Sequence, residues 1–178
     1  GSFEKDGAGP AGADWVFDAK KMKGKGTIER VADPHQEGVF GLRLQPTAAN
    51  AGAGAEPLGV GQIVPYGRVG AKKLTISAHV GAEGGASVVI GVLALRKNGS
   101  EVARAAIAGS KWEGVLSPSS TTLDLNKPRE VANLLVFVVA NGGAGSAYVD
   151  DIVIAPAGEG RSIQESDQPL SAAIQVDA

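Results

Sequence analysis

Few residues in this sequence are of types that could carry out catalysis. The chain has two histidines, His35 and His79, and no cysteine, which excludes thiol nucleophiles, disulfides and thiolate metal sites. No G-x-S-x-G elbow and no H-E-x-x-H pair occurs, so serine hydrolase and zinc hydrolase chemistry are both disfavoured. His79 shares one face of a predicted strand with Thr75 and Ser77, where it could line a binding groove.

The acidic residues are also poorly arranged for the hydrolysis of glycosidic bonds. Such enzymes need two carboxylates that flank the scissile bond, and the strand pattern E-x-D-x-x-E is absent. Asp150 and Asp151 are adjacent, so on a regular strand their side chains point to opposite faces. In that alternation Asp150 is in phase with Tyr148 and Ile152, and Asp151 with Val149. We therefore expect a protein that is not an enzyme.

The overall composition indicates a globular domain without a nucleic-acid or membrane partner. The 178 residues are enough for one domain, and 43% of them are hydrophobic. The formal net charge is -2, and the lysines at positions 20–25 have no interleaved aromatic residues, unlike a nucleic-acid-binding stripe. The longest apolar run, residues 131–140, is far shorter than the roughly 20 residues of a membrane-spanning helix.

The elements that must position these residues are predicted to be β-strands. Apolar and polar residues alternate with a period of two, in segments separated by Gly, Pro and Asn. In residues 73–80, Leu74 and Ile76 share one face while Thr75 and Ser77 share the other. About ten such strands without helical periodicity predict an all-β domain, a two-sheet jelly-roll β-sandwich, because each sheet must cover its apolar face.

The predicted strands cover most of the chain before Pro156. They are residues 15–18, 27–31, 39–45, 59–64, 73–80, 87–97, 101–108, 112–116, 121–125, 134–140 and 147–154. Asn98 and Gly99 predict a type I′ hairpin turn, because both residues tolerate a positive φ. We place the sandwich at residues 1–156 and interpret residues 157–178 as a tail or linker stub, with a further strand near residues 172–176.

Five short motifs follow one another in an informative order. They are Gly1-Ser2-Phe3-Glu4 followed by Trp15, residues 38–44 (GVFGLRL), residues 62–64 (QIV), residues 73–78 (KLTISA) and residues 148–152 (YVDDI). In this order and spacing, residues 2–155 resemble the jelly-roll domains of the carbohydrate-binding-module and galactose-binding-like families. Leu74 departs from the pattern, since these families often have Tyr there, and so does Gly41, where Ser is frequent.

The resemblance implies a non-catalytic carbohydrate-binding or accessory module of a secreted, periplasmic or cell-surface bacterial protein. Its partner would be a polysaccharide or an oligosaccharide. The resemblance also implies a structural calcium ion that ties the N-terminal Glu4 to Asp150 or Asp151 of the closing strand, and carboxylates are suitable calcium ligands. Strand alternation leaves open which of the two aspartates would bind. The alternative is that these acids only hydrogen-bond the N-terminal loop.

Ligand-binding residues are sought first among the aromatic side chains, because the apolar face of a sugar ring stacks on aromatic rings. Trp15, Trp112 and Tyr148 fall at positions that the resemblance treats as scaffold, where an aromatic ring fills core volume. The remaining candidate is Tyr66, which with Arg68 lies in a predicted turn between strands, where binding residues are common. The alternative is a turn tyrosine that packs on its own sandwich.

A second candidate site is the polar face of one sheet. Arg43, Gln62 and His79 could line one groove if their strands are neighbours, and their polar groups could hydrogen-bond sugar hydroxyls. Aromatic residues make up 4% of the chain, which leaves few for sugar stacking. This scarcity favours the alternative function, a structural or protein-interaction β-sandwich without sugar binding.

Overall fold

The computed structural model describes residues 15–16, 23–34, 41–47, 57–68, 71–109, 112–143, 145–158 and 174–175. In this part the chain forms β-strands joined by turns and short 3-10 segments, and no α-helix. The strands are β1 (Gly26–Val31), β2 (Gly41–Pro46), β3 (Leu58–Pro65), β4 (Lys73–Ala82), β5 (Ala86–Leu95), β6 (Glu101–Gly109), β7 (Ser117–Asp124), β8 (Asn133–Gly142), β9 (Ala147–Pro156) and β10 (Ile174–Gln175). None of the described residues belongs to a helix that could span a membrane.

The strands form two antiparallel sheets. Sheet I has the order β1-β2-β9-β4-β7, with β10 also paired to β9, and sheet II has the order β3-β8-β5-β6. The chain passes from one sheet to the other at β2–β3, β3–β4, β4–β5 and again at each step from β6 to β9. Such repeated crossing is the connectivity of a jelly roll. The predicted two-sheet β-sandwich is therefore confirmed.

The core lies between the inner faces of the two sheets. Strand alternation turns Leu74 and Ile76 of β4 inward, opposite Ile90 of β5 and Leu134 of β8, and all four side chains are fully buried. The alternate residues of the same strands, such as Leu135, stay partly exposed on the outer faces. The alternation predicted for residues 73–80 is thus confirmed, and it decides which side chains are available on each outer face.

The segment before β7 differs from the prediction. Residues 112–116 form bends instead of a strand, and β7 begins at Ser117 and includes Pro118, whereas the predicted strand began at Thr121. Proline has no N–H to donate to a ladder, so it is tolerated mainly on edge strands. β7 is at the edge of sheet I and pairs only with β4, which explains why Pro118 fits within it.

The hairpin between β5 and β6 also differs from the predicted type I′ turn. Gly99 has a positive φ of 83°, whereas Asn98 does not. The N–H of Gly99 donates to the Arg96 carbonyl at 2.9 Å, and the Asn98 Oδ1 accepts a hydrogen bond from the Ser100 N–H at 3.0 Å. Asn98 therefore stabilises the turn through its side chain, and only the glycine needs the left-handed conformation.

Candidate functional site

A row of side chains crosses the outer face of sheet I. Arg43 of β2 is in register with Glu29 of β1 and with Tyr148 of β9, and Tyr148 is in register with Gly81 of β4. Directly opposed residues of antiparallel strands project to the same face, so these side chains lie next to one another. The charged pair of Arg43 and Glu29 thus lies next to the aromatic ring of Tyr148.

Arg43 is held in place by Glu29. Its Nε donates to Glu29 Oε1 at 2.9 Å, and its Nη2 donates to the same oxygen. The hydrogen bond with Glu29 raises the pKa of the Arg43 guanidinium, and the negative charge of Glu29 acts in the same direction. Arg43 therefore remains a positively charged donor, and a guanidinium has N–H groups beyond those that Glu29 uses.

Trp112 and Tyr148 form an aromatic pair at the end of this row. Their ring centroids are 5.0 Å apart, with planes tilted by 32°. Trp112 lies over Gly81, where a Cβ atom would stand 2.5 Å from the indole Cε3. The Tyr148 hydroxyl donates to Glu83 Oε1 at 2.9 Å. Tyr148 is 9% exposed while Trp112 is more accessible, so Tyr148 supports a Trp112 ring that faces solvent in part.

His79 and the two aspartates lie in the next row of the same face. His79 is in register with Asp150, and its Nδ1 is 3.4 Å from Asp151 Oδ2. Asp150 is fully buried, and its Oδ1 accepts a hydrogen bond from the Asp151 N–H at 2.8 Å. The His79 imidazole thus lies beside the Asp151 carboxylate, with Asp150 as its neighbour across the strands.

A β-bulge in β9 corrects the alternation expected for Asp150 and Asp151. Beyond the His79–Asp150 pair, one residue of β4 lies opposite two residues of β9, and Asp151 has a positive φ of 53°. An extra residue of this kind reverses the phase of the strand that follows. Both aspartates therefore lie beside His79, whereas Ile152, expected in phase with Asp150, is buried in the core.

Arg43 and His79 share sheet I, with β9 between their strands, but Gln62 does not join them. Gln62 belongs to β3 of sheet II and is in register with the buried Val136, so it lies on the inward-facing side of that strand. The expected groove of Arg43, Gln62 and His79 is corrected to a surface of Arg43 and His79 alone. Sequence spacing could not show this, because strand order is a tertiary property.

Tyr66 is part of the scaffold. It is 6% exposed, and its hydroxyl donates to the Ala71 carbonyl at 2.8 Å, so its ring is not available for stacking on a sugar. This corrects the candidate role of Tyr66 in sugar stacking and favours the alternative, a turn tyrosine that packs on its own sandwich. Arg68 ends the same short 3-10 turn, and its side chain lies outside the described residues. Glu4 also lies outside them.

Tyr66 leads to a prediction about the dependence of stability on pH. Burial raises the pKa of its hydroxyl above the ordinary 10.0, so the unfolded chain ionises first as the pH rises. The stability that this residue contributes is fully present below about pH 10 and is lost as the pH rises through the folded pKa. We expect Tyr66→Phe to lower the free energy of unfolding by about 1 kcal/mol at neutral pH and to flatten its decline in alkali.

Urea unfolding followed by circular dichroism between about pH 7 and pH 11 checks this expectation. Gly67→Ala is the matched control in the same turn, because a Cβ there would have no atom within 4 Å. An alkaline decline of equal steepness in wild type and Tyr66→Phe would contradict the assignment.

Comparison with known proteins decides the type of sandwich. The xylan-binding domain CBM22-1 from Paenibacillus barcinonensis Xyn10C is 16% identical, with 86% of this chain and 89% of that domain covered at a TM-score of 0.52. A family 16 carbohydrate-binding module-2 is 14% identical, with 76% and 94% covered at a TM-score of 0.50. The chain has the fold of carbohydrate-binding modules. The resemblance expected from the sequence is confirmed at the level of fold.

An enzyme also contains this fold. The enzymatically active domain of tailspike protein 4 from bacteriophage CBA120 is 10% identical, with a TM-score of 0.55, and covers 80% of this chain. The chain spans about a fifth of that protein, 19% of its length. No protein-family model and no curated protein sequence matches the chain.

The sequence analysis assigned both Trp112 and Tyr148 to the scaffold. Tyr148, 9% exposed, fits that assignment, whereas Trp112 is partly exposed and was missed as a surface residue. Gly81 was the available signal. It interrupts an otherwise regular strand, and a glycine inside a strand often marks a close approach by another group. In this fold that group is the Trp112 ring.

Proposed function

We propose that this chain is a non-catalytic carbohydrate-binding module whose ligand site is the outer face of sheet I. The observation that carries the proposal is the partly exposed Trp112 ring, held 5.0 Å from Tyr148 in the row that contains Arg43. An aromatic face accepts the apolar C–H face of a sugar ring, while the remaining N–H groups of Arg43 can donate to sugar hydroxyls.

The neighbouring part of the face supports an extended ligand. Ser77 and Thr75 of β4 are in register with Ser120 and Thr122 of β7, so four hydroxyl side chains share the outer face beyond His79. From Gly81 to Thr75 the strand covers about 20 Å at about 3.4 Å per residue. This length favours an oligosaccharide or a polysaccharide over a single sugar ring.

The state of the acidic residues supports a non-catalytic role. Glu29 accepts hydrogen bonds from Arg43, and Glu83 accepts one from Tyr148. Asp150 and Asp151 are adjacent on one bulge, whereas a glycosidase needs carboxyl groups about 5 Å or more apart across the scissile bond. Since extended polysaccharides are met mainly outside the cytoplasm, we also propose a secreted, periplasmic or cell-surface location.

Retention on a panel of immobilised polysaccharides, xylan included, tests the proposal. Binding can be followed in solution by tryptophan fluorescence, because Trp112 is partly exposed while Trp15 is 4% exposed. Retention on one glycan class with a change in fluorescence would support the site. Absence of retention across the panel would contradict sugar binding and favour a protein-interaction sandwich.

A protein-interaction sandwich is the second candidate function because of the opposite surface. The outer face of sheet II carries partly exposed Leu135, Phe137 and Val139 of β8. Side chains of this kind do not offer the hydrogen bonds that sugar hydroxyls need, and contiguous apolar surface commonly marks a protein contact.

We further propose a structural calcium ion at the bulge of β9. Asp150 and Asp151 supply carboxylate oxygens, the ligands that calcium prefers, on one bulge next to His79, and Asp150 is fully buried there. Among the described residues no ready group of three or more acidic, His or Cys side chains could hold a metal. The remaining ligands would therefore be backbone carbonyls and a residue such as Glu4.

Calcium is then expected to stabilise the folded chain. At a concentration about 100 times the Kd, binding adds about 2.7 kcal/mol, which corresponds to a rise in Tm of about 5–10 °C for a domain of this size. Differential scanning calorimetry in calcium and in chelator measures the difference. Asp150→Asn should abolish it, whereas Asp124→Asn, at an exposed position of β7, should keep it. Equal Tm values for the wild type in both buffers would contradict the ion.

A further inference from the structure

The turn between β5 and β6 contains Asn98-Gly99, a pair that the proposed sugar site does not use. Asparagine followed by glycine is prone to spontaneous deamidation, because glycine has no side chain that obstructs its backbone nitrogen. This nitrogen loses its proton to a solvent base and bonds to the asparagine Cγ, and the side-chain amide takes up a proton and leaves as ammonia. Water then opens the succinimide ring and yields aspartate or isoaspartate. Residues 97–100 are exposed, so solvent reaches the turn.

The backbone of the turn opposes this reaction. The Gly99 N–H donates to the Arg96 carbonyl at 2.9 Å, and the Arg96 N–H donates to the Ser100 carbonyl at 2.8 Å. Lys97 and Asn98 have no positive φ, whereas Gly99 has one of 83°, so the loop is a type I turn followed by a left-handed glycine. The third residue of a type I turn has a ψ near about 0°, whereas ring closure needs the Asn98 Cβ and the Gly99 nitrogen to be eclipsed. The rotation that achieves this breaks the Gly99 hydrogen bond.

The Asn98 side chain is fixed by Ser100. Its Oδ1 accepts hydrogen bonds from the Ser100 N–H at 3.0 Å and from the Ser100 hydroxyl at 2.8 Å. Arg96 Nη1 donates to Ser100 Oγ at 3.2 Å, so the hydroxyl accepts from Arg96 and its own proton is directed to Asn98. Rotation about the Asn98 Cα–C bond displaces Gly99 and Ser100 together. It therefore breaks these side-chain hydrogen bonds as well.

Arg96 is anchored outside the turn. Its Nε donates to Glu130 Oε2 at 2.8 Å, and its Nη1 also donates to the Glu101 carbonyl at 3.0 Å. Glu130 ends the short 3-10 segment Pro128–Glu130 that precedes β8, so the turn is tied to a second part of the chain. We call the hydrogen-bonded series Glu130, Arg96, Ser100 and Asn98 the turn lock.

We propose that Asn98 is a modification site whose deamidation is controlled by the turn lock. Asn98 stays asparagine while the lock is closed, and it converts to aspartate and isoaspartate when the turn opens. Isoaspartate adds one carbon atom to the main chain, so the modified loop differs in length from the type I turn that closes this hairpin. Refolding does not reverse the reaction, and Asn98 therefore keeps a chemical record of turn opening.

Peptide mapping by mass spectrometry tests the proposal. Trypsin cleaves after Lys97 and Arg104, which isolates Asn98 in a short peptide. The full chain is incubated at mildly alkaline pH, folded in buffer and unfolded in urea, and we expect Asn98 to deamidate at least about 10-fold faster in urea, because hydrogen bonds of the turn no longer have to break. Asn141-Gly142, the other Asn-Gly pair of the chain, is the internal reference, and in urea it should react at a rate similar to that of Asn98.

Ser100→Ala removes the hydroxyl that bonds to Asn98. The ratio of the unfolded rate to the folded rate should then fall by about 3-fold or more. Ser100→Thr is the matched control, because threonine keeps a hydroxyl at the same position, and it should preserve the ratio. Comparing ratios removes the influence of side chain 100 on the reaction in the unfolded chain, and circular dichroism checks that both variants fold.

Equal rates at Asn98 in the folded and the unfolded wild type would overturn the proposal. An unchanged ratio in folded Ser100→Ala would also overturn it, since the side chain of Ser100 would then have no part in the protection. The same is true of Ser100→Thr and Ser100→Ala variants that lose the protection equally. None of these results depends on whether the chain binds a glycan.

Discussion

Replacing Trp112 by alanine is expected to weaken binding of the retained glycan by about 30-fold or more, since truncating a central tryptophan of a binding site commonly costs about 2 kcal/mol or more. The ring is the accessible member of the aromatic pair, and its partner Tyr148 is in register with Arg43 in the proposed site. Its loss removes the stacking surface and leaves the strands of sheet I in place. Isothermal titration calorimetry with the retained oligosaccharide measures the change.

Two variants of the same region separate stacking from general damage. Val115→Ala changes an exposed residue three positions along the same segment and should leave the affinity unchanged. Tyr148→Phe keeps the ring under Trp112 but removes the hydrogen bond to Glu83, so we expect a smaller loss of affinity than for Trp112→Ala. Unchanged binding by folded Trp112→Ala would place the sugar site elsewhere.

Leu134→Ala is expected to cause the largest loss of stability, about 2–5 kcal/mol. Leu134 is fully buried on the inner face of β8, a central strand of sheet II. Its truncation leaves a cavity that the rigid sheet cannot close. With a shift of about 2–4 °C per kcal/mol, Tm should fall by about 4–20 °C, which thermal unfolding followed by circular dichroism can measure.

The adjacent residue provides the control for this prediction. Leu135 has the same side chain on the same strand but faces outward and is partly exposed, so Leu135→Ala should cost well below about 2 kcal/mol. Equal losses in the two variants would contradict the assignment of inner and outer faces.

The pair Leu134 and Leu135 also shows why this fold was accessible from sequence while parts of the site were not. In β4, apolar and polar residues alternate, and this pattern predicts which face of the strand packs in the core, because every second side chain points to the same face. The continuous apolar run of β8 carried no such information. Both faces of that strand are apolar, and only the packing of the two sheets shows that Leu135, Phe137 and Val139 point outward.

The candidate site depended on features that are not local. Arg43 and His79 were correctly recognised as polar residues of strands, but their common face requires β9 between β2 and β4. Gln62 looked equivalent in sequence and lies in the other sheet. Trp112 became a surface residue because Gly81, distant in sequence, leaves room for its ring.

The sequence by itself determined the all-β sandwich, most strand positions, the likeness to carbohydrate-binding modules and the scarcity of catalytic groups, because these follow from residue type and short-range periodicity. Only the tertiary structure decided strand order, the bulge that brings Asp150 and Asp151 to the same side, the burial of Tyr66 and the apolar outer face of sheet II. These features depend on contacts between residues that are far apart in the chain. A local sequence pattern does not show which of these contacts form or how strongly they stabilise the fold.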